Sequence, residues 1–381
     1  MSVIILGSTG SVGTQAINVA EKNNIKVDAI AANTNVDLVE KQARSLGVKA
    51  CAMSDSDAAR SLRIKLADTD IKVYSETDGI CRMIEETESQ TVINSIIGKA
   101  GLLPTLAALD SDKKLALANK ESLVVAGKIV IDKAKEKNKK IIPIDSEHCA
   151  IHQCLTVGKA DEVKNLILTA SGGPFFGKKR SDLANVTVKE VLAHPTWNMG
   201  AKITVDSATL MNKGFEVIEA MHLFNVPAEK INVVVHRESI IHSMVEYIDN
   251  SIIAQMSVPD MRFCIQYAVS YPDKINAVIS PLSLVQVGTL SFAAPDTEAF
   301  PLLDAAFFAA KKGGAVPAIL NASNEVAVDS FLKRKIGFNC ITDAVINVVE
   351  SMAHLSSENS LEAILDADKE ARQKTAELIN R

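Results

Sequence analysis

The sequence predicts an α/β protein whose first third forms a doubly wound parallel sheet with helices on both faces. Short apolar runs alternate there with helix-length segments, and such alternation implies parallel strands joined by right-handed crossovers. The predicted strands are residues 3–6, 27–31, 50–53, 73–74, 91–94, 115–118 and 141–144.

A glycine-rich loop supports the same fold. The first predicted strand leads into Gly7-Ser8-Thr9-Gly10-Ser11-Val12-Gly13, and a helical pattern follows. Glycines at this spacing permit a tight turn and let backbone N–H groups approach a pyrophosphate at the helix N-terminus. We therefore expect a Rossmann-like domain that binds a dinucleotide. A glycine turn that only packs is the alternative.

The end of the second predicted strand indicates which dinucleotide is bound. Sites for NAD place Asp or Glu at this point to bond the ribose 2′-hydroxyl. The chain has Asn33, Thr34 and Asn35 instead, with neither an acid nor a basic residue among them. The absence of the acid favours NADP.

The rest of the chain predicts two further parts. Strand-like runs at 166–170, 231–235, 243–247 and 252–256 have few helices between them, which is typical of a mixed sheet, and an open sheet edge is often paired across a dimer. Four helical patterns with short loops occupy the last 80 or so residues and predict a four-helix bundle. We expect a dinucleotide-binding domain at 1–145, an α+β catalytic and dimerisation domain at 146–272, a linker at 273–299 and the bundle at 300–381.

Composition and charge exclude several classes of function. Apolar residues make up 47% of the chain and charged residues 23%, a globular composition. The net charge of -5 argues against a nucleic-acid surface. No apolar stretch approaches the roughly 20 residues that cross a bilayer, so we expect no membrane partner. Six cysteines without a CxxC pair, and a start without a charged leader, predict a cytoplasmic protein.

Two carboxylates follow the seventh predicted strand, in Asp145-Ser146-Glu147-His148. Residues two apart in an extended segment point the same way, so Asp145 and Glu147 are expected to face one centre, where a cation relieves their repulsion. Oxygen ligands of this kind favour Mg²⁺ or Mn²⁺ over zinc. A solvated loop or a helix cap is the alternative for this motif by itself.

A second polar cluster lies in residues 206–216. Ser207 is predicted to cap a helix on which Asn212 and Glu216 share one face, with Lys213 beside them. Ser, Asn and Lys suit a phosphate dianion, and Glu216 is placed to be a third carboxylate for the metal. An ordinary amphipathic helix with a polar outer face is the alternative.

Two segments lie between these clusters. Ser171 stands after a strand and before two glycines, which suits a second serine on the phosphate. Residues 194–200, His194-Pro195-Thr196-Trp197-Asn198-Met199-Gly200, form a segment that we call the flap. A tryptophan in such a segment more often anchors a core, and the sharper alternative is a mobile lid that excludes water.

Taken in order, these motifs resemble the 1-deoxy-D-xylulose 5-phosphate reductoisomerase family over nearly the whole chain. The motifs are GSTGSVG (7–13), NKES (119–122), DSEH (145–148), SGGPF (171–175), HPTWNMG (194–200), KITVDSATLMNKGFE (202–216), HRESIIHS (236–243), PDMR (259–262) and NASNEVAV (321–328). The sequence departs from the family's pattern at Phe176, where Arg is common, near Thr34, where a basic residue is common, and at Lys99, where the residue is usually small or apolar.

The resemblance implies an oxidoreductase that rearranges and reduces 1-deoxy-D-xylulose 5-phosphate to 2-C-methyl-D-erythritol 4-phosphate in the non-mevalonate route to isoprenoids. It also implies NADPH, a divalent metal (Mg²⁺, Mn²⁺ or Co²⁺) and a homodimer. Carried over, the metal ligands are Asp145, Glu147 and Glu216. The phosphate ligands are Ser171, Ser207, Asn212 and Lys213, and Lys120, Ser146 and His194 line the rest of the substrate.

The resemblance assigns cofactor contacts and a catalytic set as well. The cofactor contacts are Gly7, Thr9, Gly10, Ser11, Val12, Asn33, Thr34, Asn35, Asn119, Glu121, Met199 and Gly200. The catalytic set is Lys120, Asp145, Glu147, His194 and Glu216, and Trp197 of the flap covers the substrate.

The residues leave two other functions open. A semialdehyde-type NADP reductase would need a nucleophilic cysteine, for which Cys149 is the only choice near the acids. A non-catalytic regulator that senses NADP would bind the cofactor without metal-dependent turnover.

Overall fold

The computed structural model describes residues 1–197 and 199–380. The chain divides into two compact units. The first unit consists of Met1–Ser122, Val130–Cys149 and Asp260–Ser280, and the second consists of Leu123–Ile129, Ala150–Pro259 and the chain from Pro281 onward.

The first unit is built on a parallel sheet of seven strands in the order β4-β3-β2-β1-β5-β6-β7. The strands are β1 (Ser2–Leu6), β2 (Lys26–Ala32), β3 (Ala50–Met53), β4 (Lys72–Ser75), β5 (Thr91–Asn94), β6 (Lys114–Leu117) and β7 (Ile141–Pro143). All seven match predicted strands. The strand sequences are continuous apolar runs because both faces of the sheet are covered. Ile4 and Ile30, for example, are 0% exposed.

Helices connect these strands. They are α1 (Ser11–Lys22), α2 (Val36–Leu46), α3 (Ser56–Lys65), α4 (Glu76–Glu86), α5 (Leu102–Asp110), α6 (Glu121–Glu136) and α7 (Ser146–Cys154). From β1 to β4, successive strands are added on one side of β1, and from β5 to β7 they are added on its other side. This is the doubly wound pattern, with its switch point between β1 and β5. The predicted fold class is confirmed for this unit.

The second unit contains a four-stranded sheet in the order β11-β10-β8-β9. Its strands are β8 (Val163–Ala170), β9 (Ile231–Val235), β10 (Ile241–Tyr247) and β11 (Ile252–Met256). β8 pairs in parallel with β9 and antiparallel with β10, which confirms the predicted mixed sheet. Within the described part of the chain, β11 pairs with β10 alone, so it forms an edge of this sheet.

The remaining helices lie in the second unit, except for α11, which lies in the first. They are α8 (Val188–Val191), α9 (Ala201–Ala208), α10 (Met211–Phe224), α11 (Arg262–Ser270), α12 (Leu284–Val287), α13 (Leu302–Lys312), α14 (Val316–Leu332), α15 (Phe338–Met352) and α16 (Leu361–Ile379). The last four are the predicted helices of the C-terminal bundle. Among the described residues, no helix has both the length and the hydropathy of a membrane span.

Gly214 allows α10 to pack closely against α13. A Cβ on Gly214 would lie 2.4 Å from the Cβ of Ala306, far inside van der Waals contact. We expect Gly214→Ala to lower the free energy of unfolding by about 1–3 kcal/mol, because overpacking forces the helices apart. The double variant Gly214→Ala/Ala306→Gly should recover most of this loss in a denaturant titration. Equal stability of the single variant and the wild type would contradict the close packing.

Candidate active site

The loop between β1 and α1 has no room for a side chain at Gly7 or Gly13. Gly7 has a φ of 84°, and a Cβ on Gly13 would lie 2.1 Å from the carbonyl oxygen of Gly7. The N–H of Gly10 closes the turn on that same oxygen at 2.9 Å. Gln42 of α2 steadies the loop by donating a buried hydrogen bond of 3.0 Å to the Ser8 carbonyl. Bare backbone at the start of a helix is the surface that a pyrophosphate needs.

Other predicted cofactor residues of this unit, and the predicted metal ligand Asp145, follow strands of the same sheet. Asn33 follows β2, Asn119 lies just after β6 and Asp145 just after β7, as Gly7 follows β1. The carboxyl ends of parallel strands lie along one edge of a sheet, which is where ligands of doubly wound proteins bind. The sheet therefore gathers these positions at one edge of the first unit.

Asn33, Thr34 and Asn35 are exposed at the end of β2. The side chain of Asn35 accepts a hydrogen bond of 3.2 Å from the N–H of Leu38 and thereby caps α2. Asn119 differs, since it is 2% exposed and its amide donates to the carbonyls of Ile96 and Gly98 at 2.6 and 2.8 Å. Asn119 therefore holds the loop that follows β5.

Asp145 and Glu147 do not lie in an extended segment, so that part of the prediction was wrong. Asp145 stands immediately before α7 and Glu147 lies in its first turn. Oδ1 of Asp145 accepts from the backbone N–H groups of Glu147 and His148 at 3.1 and 3.4 Å, as a helix cap does. Ser146 donates its hydroxyl to Glu147. The helix start, rather than strand alternation, brings the two carboxyl groups to one side.

A lysine and a histidine compensate the buried charge of Asp145. Nζ of Lys120 lies 2.6 Å from Oδ2, and Nδ1 of His148 lies 3.0 Å from Oδ1. Burial alone would raise the pKa of Asp145, but the Lys120 ammonium and then His148 hold that pKa well below its usual range. Asp145 is therefore a carboxylate, the form that ligates a cation.

In the second unit, Ser207 does not cap a helix. It lies in the last turn of α9, and α10 begins only at Met211 after Leu210, whose φ is 60°. This left-handed residue interrupts the helix, and its side chain is 4% exposed. The helix is interrupted here because the Leu210 side chain is buried. Local sequence does not reveal this, because burial depends on what packs against the residue. The hydroxyl of Ser207 therefore belongs to the end of α9, next to the start of α10.

Two charged residues of α10 are buried. Lys213 and Glu216 are 4% and 1% exposed and form an ion pair, and the amide of Asn212 donates to Glu216 at 2.5 Å. The predicted proximity of these three side chains is confirmed. Because Lys213 and Glu216 are buried, they do not form the solvated outer face of an ordinary amphipathic helix. Buried charges require partners, and these two residues pair with each other.

The turn after β8 packs against the end of α9. A Cβ on Gly173 would lie 2.9 Å from the carbonyl oxygen of Ser207, so the approach requires glycine. The hydroxyl of Ser171, at the start of this turn, lies 3.0 Å from Nε2 of His194. Ser171 and Ser207 are thus carried by segments in direct contact.

His194 also organises the flap. Its Nδ1 accepts from the N–H groups of Thr196 and Trp197 at 3.2 and 3.0 Å, so the neutral ring carries its proton on Nε2, facing Ser171. The Trp197 ring lies 6.2 Å from that of His242. Burial, followed by the charge of Arg237, lowers the pKa of His194. Asn198 lies outside the described residues.

Met199 and Gly200 complete the flap. Met199 is half-buried, and Gly200 is exposed and precedes α9. The carbonyl of Gly200 accepts the hydroxyl of Thr204 at 2.8 Å. These contacts tie the end of the flap to α9.

Two further residues contact this region although no local sequence pattern connects them with it. Asn324 of α14 donates at 2.7 Å to Asp206, which also pairs with Lys202 at 2.8 Å. Arg237, just after β9, bonds to the turn that contains Ser171. Both residues belong to motifs that carried the resemblance, but no local pattern indicated their contacts.

Comparison with known proteins shows what the chain is similar to. A family profile described as 1-deoxy-D-xylulose 5-phosphate reductoisomerase matches residues 3–127, and two profiles of the C-terminal domain of that reductoisomerase match residues 141–224 and 256–374. A 1-deoxy-D-xylulose 5-phosphate reductoisomerase of Acetivibrio thermocellus is 50% identical over 99% of each chain. The reductoisomerase 1 of Bacillus cereus is 46% identical over 99% of this chain and 98% of its own.

Solved structures agree. A DOX-P reductoisomerase in complex with NADPH, fosmidomycin and magnesium superposes with a TM-score of 0.95 at 38% identity, over 100% of this chain and 98% of the other. The enzyme of Zymomonas mobilis in complex with NADPH gives a TM-score of 0.92 at 40% identity, over 99% and 98% of the two chains.

The chain belongs to the 1-deoxy-D-xylulose 5-phosphate reductoisomerase family. Membership confirms the resemblance and the fold class, and it makes the chain an NADP-dependent oxidoreductase that also isomerises its substrate. The two alternative functions are not favoured. Cys149 is 0% exposed, so a semialdehyde reductase would lack an accessible nucleophile.

Acidification is expected to loosen the turn at residues 194–197. The lowered pKa of His194 means that the neutral ring holds the turn fully above about pH 6.5, and that this hold is lost as the pH falls through the lowered value. Trp197 is the chain's single tryptophan, so its emission reports the turn directly. We expect a spectral change on acidification that is absent in His194→Gln. The same change in that variant would show that His194 is not the group that titrates.

Proposed function

We propose that this chain converts 1-deoxy-D-xylulose 5-phosphate to 2-C-methyl-D-erythritol 4-phosphate in the non-mevalonate route to isoprenoids, using NADPH and Mg²⁺ or Mn²⁺, with Co²⁺ as a substitute. The observation that carries the proposal is the buried, ionised carboxylate of Asp145 at the edge of the sheet where the glycine loop also lies. Relatives at 46–50% identity over nearly the full chain support it.

We assign the metal to Asp145, Glu147 and Glu216. Carboxylate oxygens are the hard ligands that Mg²⁺ and Mn²⁺ prefer, and the donors of each unit fit that requirement. Lys120 beside Asp145 and Lys213 beside Glu216 keep these acids compensated. When bound, the cation supplies Lewis-acid polarisation of the substrate's oxygens, and NADPH supplies the hydride for the reduction.

We assign the substrate's phosphate to Ser171, Ser207, Asn212 and Lys213. An ammonium group with hydroxyl and amide donors suits a dianion, and Lys213 is the strongest of these because its charge is buried. A phosphate held away from the reacting carbons contributes binding energy that positions the rest of the substrate.

The remaining assignments follow the same division of tasks. Lys120, Ser146 and His194 line the reacting part of the substrate, and Trp197 and Met199 of the flap exclude water from it. The cofactor residues are Gly7, Thr9, Gly10, Ser11, Val12, Asn33, Thr34, Asn35, Asn119, Glu121, Met199 and Gly200. The close approach of Gly13 to Gly7 supports a dinucleotide, because it leaves no room for a side chain at Gly13 and keeps the backbone there open to a pyrophosphate.

We also propose a homodimer that functions in the cytoplasm. The functional domains are those predicted from the sequence, at residues 1–145, 146–272, 273–299 and 300–381. The dimer is supported by the open edge at β11, where Ile252 is 52% exposed, since such edges commonly pair with a second copy.

The decisive experiment is oxidation of NADPH by the purified chain. We expect turnover only when the ketose phosphate and Mg²⁺ or Mn²⁺ are both present, and its loss in a chelator. Glu216→Gln should lower kcat/KM by about a hundredfold or more, because a neutral amide is a poor ligand for a hard cation. Glu229→Gln removes an exposed acid of the same unit and serves as the matched control. Undiminished turnover in chelator, or equal activity of the two variants, would refute the metal assignment.

The dimer is tested at the β11 edge. Sedimentation of the wild type should give about twice the chain mass of 40.9 kDa, in keeping with the preference of soluble oligomers for two-fold symmetry. Ala254→Lys places a charge on this edge and should yield monomers, because charged residues blunt strand edges. Ile64→Lys, at an exposed site of α3, is the control. A monomeric wild type would remove the proposal, and a dimeric Ala254→Lys variant would place the interface elsewhere.

A further inference from the structure

An arginine outside the proposed reaction scheme holds the turn that contains Ser171. Nη1 of Arg237 donates to the carbonyl oxygens of Gly173 and Ser171, at 2.8 and 3.4 Å. Gly172 and Gly173 have φ values of 76° and 64°, a left-handed backbone that lets two carbonyls of one short turn reach the same guanidinium. Arg237 therefore fixes the backbone on which the Ser171 hydroxyl is mounted.

An aromatic ring covers the guanidinium. The carbon at its centre lies 5.1 Å from the ring centroid of Phe176, and Phe176 is 42% exposed. A Cβ on Gly172 would lie 3.1 Å from the Phe176 ring and 2.9 Å from Val235, so the turn is enclosed between them. The cation–π contact and the planar N–H donors hold the arginine side chain in one orientation. A lysine has no planar donor group and would not be held in this way.

The segment that carries Arg237 is itself rigid. His236 is 0% exposed, and its Nε2 accepts from the N–H groups of Ile240 and Ile241 at 3.2 Å each. Its Nδ1 lies 2.9 Å from the carbonyl of Ser291, and its ring stacks on Phe292 at 4.9 Å. Arg237 is therefore presented by a fixed support.

No carboxylate pairs with Arg237 among the described residues, positions 1–197 and 199–380. The nearest acid in sequence, Glu238, bonds instead to the hydroxyl of Ser291 at 2.6 Å and to His236 at 3.0 Å. The charge of Arg237 still acts at the turn. His194 contacts Ser171, and the pKa of His194 is lowered first by burial and then by the charge of Arg237. Arg237 therefore brings to the turn a positive charge that no carboxylate of the described residues pairs with.

We propose that Arg237 is a positioning residue for the substrate's phosphate. It holds the Ser171-Gly172-Gly173 turn in the conformation that presents the Ser171 hydroxyl, and it adds positive potential there for a phosphate monoester dianion. The inference rests on the proposed assignment of Ser171 to the phosphate. It predicts that Arg237 governs affinity for the phosphate end of the substrate and leaves the cofactor unaffected.

Two substitutions in the full-length protein test the proposal. Arg237→Met keeps an apolar chain over Phe176 but loses the hydrogen-bond donors and the charge. Arg237→Lys keeps the charge but loses the planar set of N–H donors of the guanidinium. We expect Arg237→Met to raise the KM for the ketose phosphate and the inhibition constant of inorganic phosphate by about tenfold, since charge-assisted contacts are lost. The KM for NADPH should stay within about twofold, and Arg237→Lys should recover part of the phosphate affinity.

Controls separate this role from a structural one. Equal losses of NADPH and phosphate affinity with a lower melting temperature would assign Arg237 to folding and overturn the proposal. Unchanged phosphate constants in Arg237→Met, with weakened constants in Ser171→Ala, would overturn the role of Arg237 alone. Unchanged phosphate constants in both variants would show that the phosphate does not bind at this turn. Metal-dependent turnover would still test the proposed function independently.

Discussion

A carboxylate buried away from water requires a cation beside it, and each unit meets this requirement with its own lysine. Lys120 lies 2.6 Å from Asp145 in the first unit, and Lys213 pairs with Glu216 in the second. Without these lysines the buried charges would be uncompensated or the acids would be protonated, and a protonated acid is a poor metal ligand. The acid chemistry of the site therefore depends on where the fold puts two ammonium groups.

Ordinary secondary structure accounts for that placement. Lys120 directly precedes α6 and Asp145 directly precedes α7, and the two helices follow adjacent strands of one parallel sheet. Lys213 and Glu216 are neighbours three residues apart on α10. Left-handed backbone occurs immediately before α10, at Leu210, and in the glycine turn after Ser171, which packs against the end of α9.

The predictions from sequence failed where a local pattern had two physical solutions. Spacing of two between Asp145 and Glu147 suits a strand, but the same residues also suit a helix start, and burial of α7 decided between them. Ser207 has the chemistry of an N-cap, yet it ends α9 because the buried Leu210 adopts a left-handed backbone. Neither outcome is a matter of propensity alone, since both depend on what packs against the segment.

The sequence by itself determined the seven parallel strands, the mixed sheet, the four C-terminal helices and the glycine loop. Periodicity, apolar runs and the backbone freedom of glycine are local properties, so they can be read along the chain. Only the tertiary structure decided that Arg237 holds Gly173, 64 residues earlier in the chain, and that Asn324 bonds to Asp206 across 118 residues. Such pairs have no sequence signature, because their geometry exists only once separate elements have packed together.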